Sequence, residues 1–243
     1  MVGEMPMLSK DFPNPNHWLM YHRPRELFVD PHTVVVSDMY LFRILLPETP
    51  GALGKVATAI GNAGANINAL EIIDRRSGSA IDDFIVELPP DVMPDTVIAS
   101  CHSVEGVEVL WVSRTYSDWT IASDIEALNS MLADPCEAPA VLVNEAPNLF
   151  HSSWAALVDK GFHVLHATQA APDFTLEAQA ALGDLDGVRS LDLPPDWIPE
   201  WGETIVAIAP VGDQWILVGR QGGPSYLPSE LTRLRHLAAL ATA

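Results

Sequence analysis

Few groupings of side chains in this sequence are spaced for catalysis or metal binding. His163-x-x-His166 offers two imidazoles to one metal ion, but on a strand positions 163 and 166 point to opposite faces. Cys101-His102 sets a thiol next to a base, yet nucleophile and base must meet in space, and sequence neighbours do not. Asp82-Asp83 also alternate across a strand, and the expectation for them is an exposed turn or strand edge. His151, beside Phe150 near an expected helix start, reads as a capping or surface group. Gly-x-Ser-x-Gly, a phosphate loop, Gly-x-Gly-x-x-Gly and His-Glu-x-x-His are all missing. Gly219-x-x-Gly222-Gly223 follows a strand but leads to Pro224 and Pro228 instead of into a helix, so it reads as a loop. Trp197, Trp201 and Trp215 gather aromatics expected to pack a core or a domain interface. The expectation is a protein that is not an enzyme, with no catalytic residue, metal or cofactor.

The elements that position these residues fall into two halves after an irregular arm. Residues 1–38 are broken by Pro6, Pro13, Pro15, Pro24 and Pro31. Trp18, Tyr21, Leu27 and Phe28 should lie against the body or a second subunit, and Thr33–Val36 has the composition of an edge strand. Tyr40–Leu46 is a β-rich run ended by Pro47, and Pro50-Gly51 marks a turn. Leu53, Val56, Ala57 and Ile60 then fall at helical spacing, with Gly64 as the stop. Asn66–Ile73 and Ala80–Leu88 read as strands joined through Arg75–Ser79, Pro94–Ser103 as a short helix and Val107–Val112 as a last strand. The order is β-α-β-β-α-β, the ferredoxin-like plan of an antiparallel sheet with two helices on one face.

Residues 116–243 read as a second α+β unit. Ile121, Ile125, Leu128 and Leu132 form a helical stripe stopped by Asp134-Pro135, and Ala140–Val143 a short strand. Asn148 caps an expected helix through Leu149, Trp154, Leu157 and Val158, ended by Gly161. Phe162–Thr168 is an expected strand, Phe174–Leu182 a helix and Val188–Leu191 a strand. A hairpin joins Thr204–Ala209 to Gln214–Gly219, and Pro228 opens a closing helix.

Three stretches carry a family resemblance. Glu48-Thr49-Pro50-Gly51-Ala52-Leu53 is similar to the acidic-x-Pro-Gly-x-Leu turn of ACT domains, the regulatory modules of many amino-acid-controlled enzymes. Gly64-Ala65-Asn66-Ile67 resembles the family's Gly-x-Asn-Ile opening of the second strand, and the two-helix spacing agrees. The resemblance covers residues 40–112 and implies side-by-side homodimers that hold a small amino acid between this turn and the partner's second strand. Carried over residue by residue, it implies a site made of Glu48, Thr49, Pro50, Gly51, Ala52, Leu53, Asn66, Ile67 and Asn68. Asn66 would hydrogen-bond the ligand's amino or carboxylate group, and Ile67 and Asn68 would line the wall. The residue chemistry agrees: Gly51 can adopt positive φ, and the amides near Ala52 and Leu53 make a weakly positive helix end suited to a carboxylate. Trp215–Arg220 through Glu230-Leu231 to Leu237-Ala238 loosely resembles the end of a GAF domain. There Cys136, in an Asp134-Pro135 loop, gives no chromophore attachment.

The fold class expected is therefore α+β: an arm over 1–38, a ferredoxin-like ACT domain over 39–115, and a GAF-like domain with a central antiparallel sheet over 116–243. Charge narrows the partners. Over the 243 residues, 32 acidic against 13 basic side chains give a formal charge of −19. A nucleic acid or an anionic membrane demands a basic stripe that neither half supplies. No secretory leader is visible at the start, no apolar run spans a bilayer, and two cysteines give no disulfide framework, so a cytoplasmic setting is expected. The expected partners are a small amino acid, a second copy of the chain and a protein partner. The expected function is non-catalytic regulation by an amino acid, the alternative being a dimeric scaffold or regulatory subunit without a small ligand. Arg43, on the first strand, is expected to contribute at an interface.

Overall fold

Pro47 and Pro50 separate the first strand from the first helix, and that break sets the chain's first crossover. The computed structural model describes residues 38–76, 78–115, 121–198 and 202–242, all within one compact unit. The expectations for the arm up to Val36, for Ser77 and for Trp201 lie outside the described residues.

The first half runs β1 (Asp38–Pro47), α1 (Ala52–Asn62), β2 (Asn66–Arg76), β3 (Ser79–Leu88), α2 (Pro94–His102) and β4 (Glu108–Thr115). Its sheet is antiparallel with order β2-β3-β1-β4, so β1 and β3 are interior and β2 and β4 are edges. One face buries Phe42, Ile44, Phe84 and Val86 against Val56 and Ile60 of α1 and Val97 and Cys101 of α2. Gly64, at φ 85°, takes the left-handed conformation that stops α1. Leu53, expected on the helical stripe, is exposed; Ala52 and Ala59 occupy the buried face instead. On β1, Leu41, Phe42, Arg43 and Ile44 are all buried, because the second face of the sheet is covered as well.

The second half runs α3 (Ile121–Ala133), α4 (Ala138–Leu149), β5 (Trp154–Val158), β6 (Val164–Ala167), α5 (Leu176–Leu182), β7 (Arg189–Leu193), β8 (Thr204–Val211), β9 (Gln214–Gln221) and α6 (Pro228–Leu240). Its sheet is also antiparallel, ordered β6-β5-β9-β8-β7. Leu142, Phe150, Ile216, Val218 and Leu234 pack on one face, and Trp154, Leu182, Trp197, Val206 and Leu217 on the other. α6 touches both β8 and β2, so it lies between the two sheets. The fold is thus mixed α and β, with two antiparallel sheets and six helices among the described residues. None of those helices is long and apolar enough to cross a membrane.

Three local expectations are corrected. Ala140–Val143 lies inside α4, and Asn148 stands near the end of that helix instead of capping a new one. Trp154–Val158 is a strand: β5 is interior and all five residues are buried, so alternation vanishes and the run resembles a buried helix. α3 buries Ala127 and Met131, while Ile125 and Leu132 face solvent, so the helix is rotated away from the expected stripe.

Gly219 of β9 shows how tight the Trp154 side of the second sheet is. Trp154 stacks on Trp197 at 6.3 Å between centroids and meets Phe174 edge-on. A Cβ on Gly219 would fall 2.0 Å from the Trp154 ring, which is fully buried and has nowhere to swing. Gly219→Ala is expected to cost at least the ~1–3 kcal/mol typical of overpacking, read as a lowered urea midpoint at unchanged slope. An unchanged midpoint would show that the ring has room.

Candidate functional site

Gly51 caps α1 at φ 86°, and no side chain caps that helix end. The Ala52 amide, expected to be open to a ligand, donates instead to the Thr49 carbonyl at 3.1 Å, and the Ala52 side chain is buried. Leu53 therefore carries the first amide past that turn. Glu48, Thr49 and Pro50 are exposed; the Glu48 carboxylate meets Arg75 at 3.4 Å, and its amide donates to Gly78. A groove of about 410 Å³ runs from Gly51 past Lys55 and Thr58 toward Ser100.

Asn66 and Asn68 are exposed on edge strand β2, where Asn66 Nδ2 donates to Asn68 Oδ1 at 3.0 Å. Ile67 is half-buried and packs against the core under the helices. Asn66 follows the turn that ends α1, so the 11-residue helix separates it from Gly51 by about 16 Å. One chain brings Glu48–Leu53 together and Asn66–Asn68 together, but not the two sets.

The most polar interior lies elsewhere. Arg43 of β1 donates from Nε and Nη2 to the two Asp83 oxygens, both at 2.8 Å, and from Nη1 and Nη2 to Glu230 at 3.1 and 3.0 Å. Glu230 also accepts Arg220 Nη2 at 2.9 Å and the Leu227 amide at 2.8 Å, which closes the start of α6. Arg220 further donates to the carbonyls of Phe150, His151 and Pro224 and stacks on Tyr226 at 4.1 Å and Trp111 at 4.8 Å. Burial alone would raise the Glu230 pKa, but Arg220 and Arg43 outweigh it and hold it down at about 2. Burial likewise opposes the Arg43 cation, and Asp83 and Glu230 more than restore it.

The expectation that Asp82-Asp83 are exposed is overturned: each is 2% exposed, because β3 is interior and covered on both faces. Asp83 takes Arg43. Asp82 faces the other way, its Oδ1 has no hydrogen-bond partner, and burial with the nearby Asp83 charge pushes its pKa up to about 6. Burial also pushes Glu71 of β2 up to about 7, against the pull of Arg233 on α6. His151 is not at a helix start; it follows α4, half-buried, with a left-handed backbone at φ 46°. Burial, then Arg43 and Arg220, lower its pKa to about 3.

The remaining chemistry-bearing residues are scattered. His163 Nδ1 meets Asp159 and His166 Nε2 meets Asn144, each at 2.9 Å. Cys101 is buried on the inner face of α2, its thiol pushed up to about 11 by burial, while His102 Nε2 accepts the Val109 amide. Trp197 is buried on Trp154, and Trp215 packs at the edge of the same cluster. The roles of Asp83, Arg220 and Glu230 escaped sequence reasoning. One signal was present: a charged Arg43 inside the apolar run Tyr40–Leu46 requires buried counter-ions.

No family model and no curated protein matches this chain. Several solved structures are similar to it, among them the two that follow. One is an unknown protein from Galdieria sulphuraria, 11% identical over 84% of this chain and 90% of that one, at a TM-score of 0.30. The other is a formyltetrahydrofolate deformylase from Pseudomonas putida KT2440, 12% identical, at a TM-score of 0.26. There the match covers 40% of this chain and 39% of the deformylase. Similarity this low carries no argument about what the chain does.

Two outcomes follow from the network. Arg43→Met strands two buried carboxylates and is expected to cost about 3–5 kcal/mol in chemical denaturation; a loss below ~1 kcal/mol would show that water reaches them. Glu71, with its pKa raised in the fold, holds its proton better folded than unfolded. Its contribution is therefore full below about pH 4.5 and is lost as pH rises through about 7. Urea midpoints at pH 5 and pH 8 should show the wild type falling relative to Glu71→Gln as pH rises. A constant difference would place the Glu71 proton in bulk-like water.

Proposed function

We propose that this chain is a non-catalytic regulatory protein in which an ACT-type half binds a small amino acid between two copies, and a GAF-like half passes the signal on. The observation that carries this reading is the separation of the Gly51 turn from Asn66 and Asn68 within one chain. The Gly51 turn lies near the Arg75 end of β2, tied there by Glu48, whereas Asn66 and Asn68 begin the same strand. In a two-fold pairing of antiparallel β2 edges, the start of one strand lies opposite the end of its partner. One chain's asparagines then stand beside the other chain's helix turn, and each half-site completes the other.

The sheet order β2-β3-β1-β4, with α1 and α2 on one face, supports a ferredoxin-like ACT unit over 39–115. The five-stranded antiparallel sheet flanked by helices supports a GAF-like unit over 116–243. The Arg43–Asp83–Glu230–Arg220 network supplies the physical connection between them. Ligand that favours one dimer arrangement would shift its population, and a cytoplasmic setting suits such a sensor.

A second reading, a ligand-free dimeric scaffold that acts through a protein partner, is favoured by Leu70 and Ile72. These are 41% and 45% exposed on the same edge strand, where they can pair without any ligand. A thermal-shift screen of the twenty amino acids, with sedimentation on the same samples, separates the two. The sensor predicts a dimer whose melting temperature rises by several degrees with one amino acid near 100 times its Kd, a gain of about 2.7 kcal/mol. Asn66→Ala should keep the dimer and lose the shift. A dimer silent to all twenty would leave the scaffold, and a monomer would overturn both readings.

A further inference from the structure

Asp82 is an acid that the fold buries without giving it a counter-ion of its own. It is 2% exposed, and its Oδ1 has no hydrogen-bond partner. Asp83, the next residue, differs: both its oxygens receive Arg43. Glu71 Oε2 also lacks a hydrogen bond, but Arg233 of α6 acts on that carboxylate. The cation that acts on Asp82 is Arg75, which is bonded to Glu48 instead. A carboxylate taken out of water and left unpaired is costly, and groups perturbed in this way gather at functional sites. We propose that Asp82 receives the ammonium group of the bound amino acid, whose side chain is aliphatic. The inference rests on the amino-acid reading above and names what that reading leaves open, the residue that recognises the ligand's positive end.

Strand register places Asp82 near the head of α1. It pairs with Ile44 of β1 and Ile72 of β2, and alternation puts it on the same face as Phe84 and Val86, the face that packs on α1 and α2. β1 ends at Pro47 and α1 begins at Ala52, so the helix starts over the end of the sheet where Asp82 lies. Glu48 ties the turn to that same end, through Arg75 of β2 and the Gly78 carbonyl. Helices do not cover the β2 side of this face. Leu70 and Ile72, which pair with Phe84 and Asp82, are exposed, and so is Leu53 in the first turn of α1. Asp82 therefore lies where the covered and open parts of the face meet.

The arrangement matches the polarity of a zwitterion. The head of α1 is the weakly positive end of an 11-residue helix, and the Leu53 amide is the first one past the Thr49–Ala52 turn. Asp82, below it on the sheet, is negative: its pKa, raised to about 6, leaves it ionised at pH 7.5. An α-amino acid offers a carboxylate to the first and an ammonium, which only donates, to the second. Its side chain then meets Leu53, Leu70 and Ile72. A charged side chain would find no opposite charge to spare, because Glu48 and Arg75 hold each other.

The test uses the full chain at pH 7.5, with L-leucine as probe. Its near-isostere is L-2-hydroxy-4-methylpentanoate, which carries a hydroxyl in place of the ammonium; calorimetry and thermal shift read both. Leucine should bind and raise the melting temperature, and the hydroxy acid should bind about tenfold more weakly or worse. Asp82→Asn removes a buried charge without a partner, so in the absence of ligand it should melt no lower than the wild type. It should lose the preference and bind the two compounds alike. Asn66→Ala should weaken the two together. Equal binding by the wild type, or a preference that survives Asp82→Asn, would overturn the inference and leave the amino-acid reading standing. A response to charged amino acids with none to leucine would do the same. Silence to all twenty amino acids would overturn the reading itself, and this inference with it.

Discussion

A guanidinium in the middle of a strand that is covered on both faces cannot be left without counter-charge, and Arg43 is that guanidinium. Isolated in a low-dielectric interior it would cost far more than any neighbouring contact returns. Asp83 on β3 and Glu230 on α6 meet it, the second from 187 positions away in the chain. Glu230 in turn closes the first turn of α6 and holds Arg220, which gathers the carbonyls at the end of α4. One continuous set of charged hydrogen bonds thus ties β3, β1, α6, β9 and α4. Apolar residues of the same volume would hold these elements together about as strongly. What the charges add is geometry, since a bidentate carboxylate pair has one good alignment and an oily face has many.

That joint places α6 where both halves feel it. Its apolar side, through Leu234 and Leu237, belongs to the core of the second half, while Glu230 faces the first sheet. Arg233 of the same helix acts on Glu71 of β2, the edge strand that also carries Asn66 and Asn68. β2 and α6 are thus in contact and joined by one charge interaction. A cavity lined by Trp111 and His151 borders the same joint from the other side.

Local punctuation made much of the first half readable. Pro47, Pro50-Gly51, Gly64 and Pro94 stand where elements begin and end. The turn at Gly51 and the asparagines of β2 were legible for the same reason, because their chemistry belongs to the local backbone. The second half was harder. Trp154–Val158 is apolar at every position, and a run buried on both sides has no period to read, so strand and helix were indistinguishable until β6 and β9 were seen to flank it. Asp82 and Asp83 were misjudged for a related reason: acidic residues default to solvent, and only the position of β3 between β2 and β1 puts them inside.

By itself the sequence determined the element order of the first half, the left-handed glycine at the head of α1, the polar start of β2 and an overall charge that disfavours nucleic acid. Each depends on a residue's own conformational or electrostatic preference. Tertiary structure alone decided that Arg43, Asp83, Glu230 and Arg220 meet, that α6 lies between two sheets, and that His151 is strained at the wall of a cavity. Those facts depend on contacts between residues tens to hundreds of positions apart. Such partners are chosen by which faces are left uncovered once the sheets form, and no local preference encodes them.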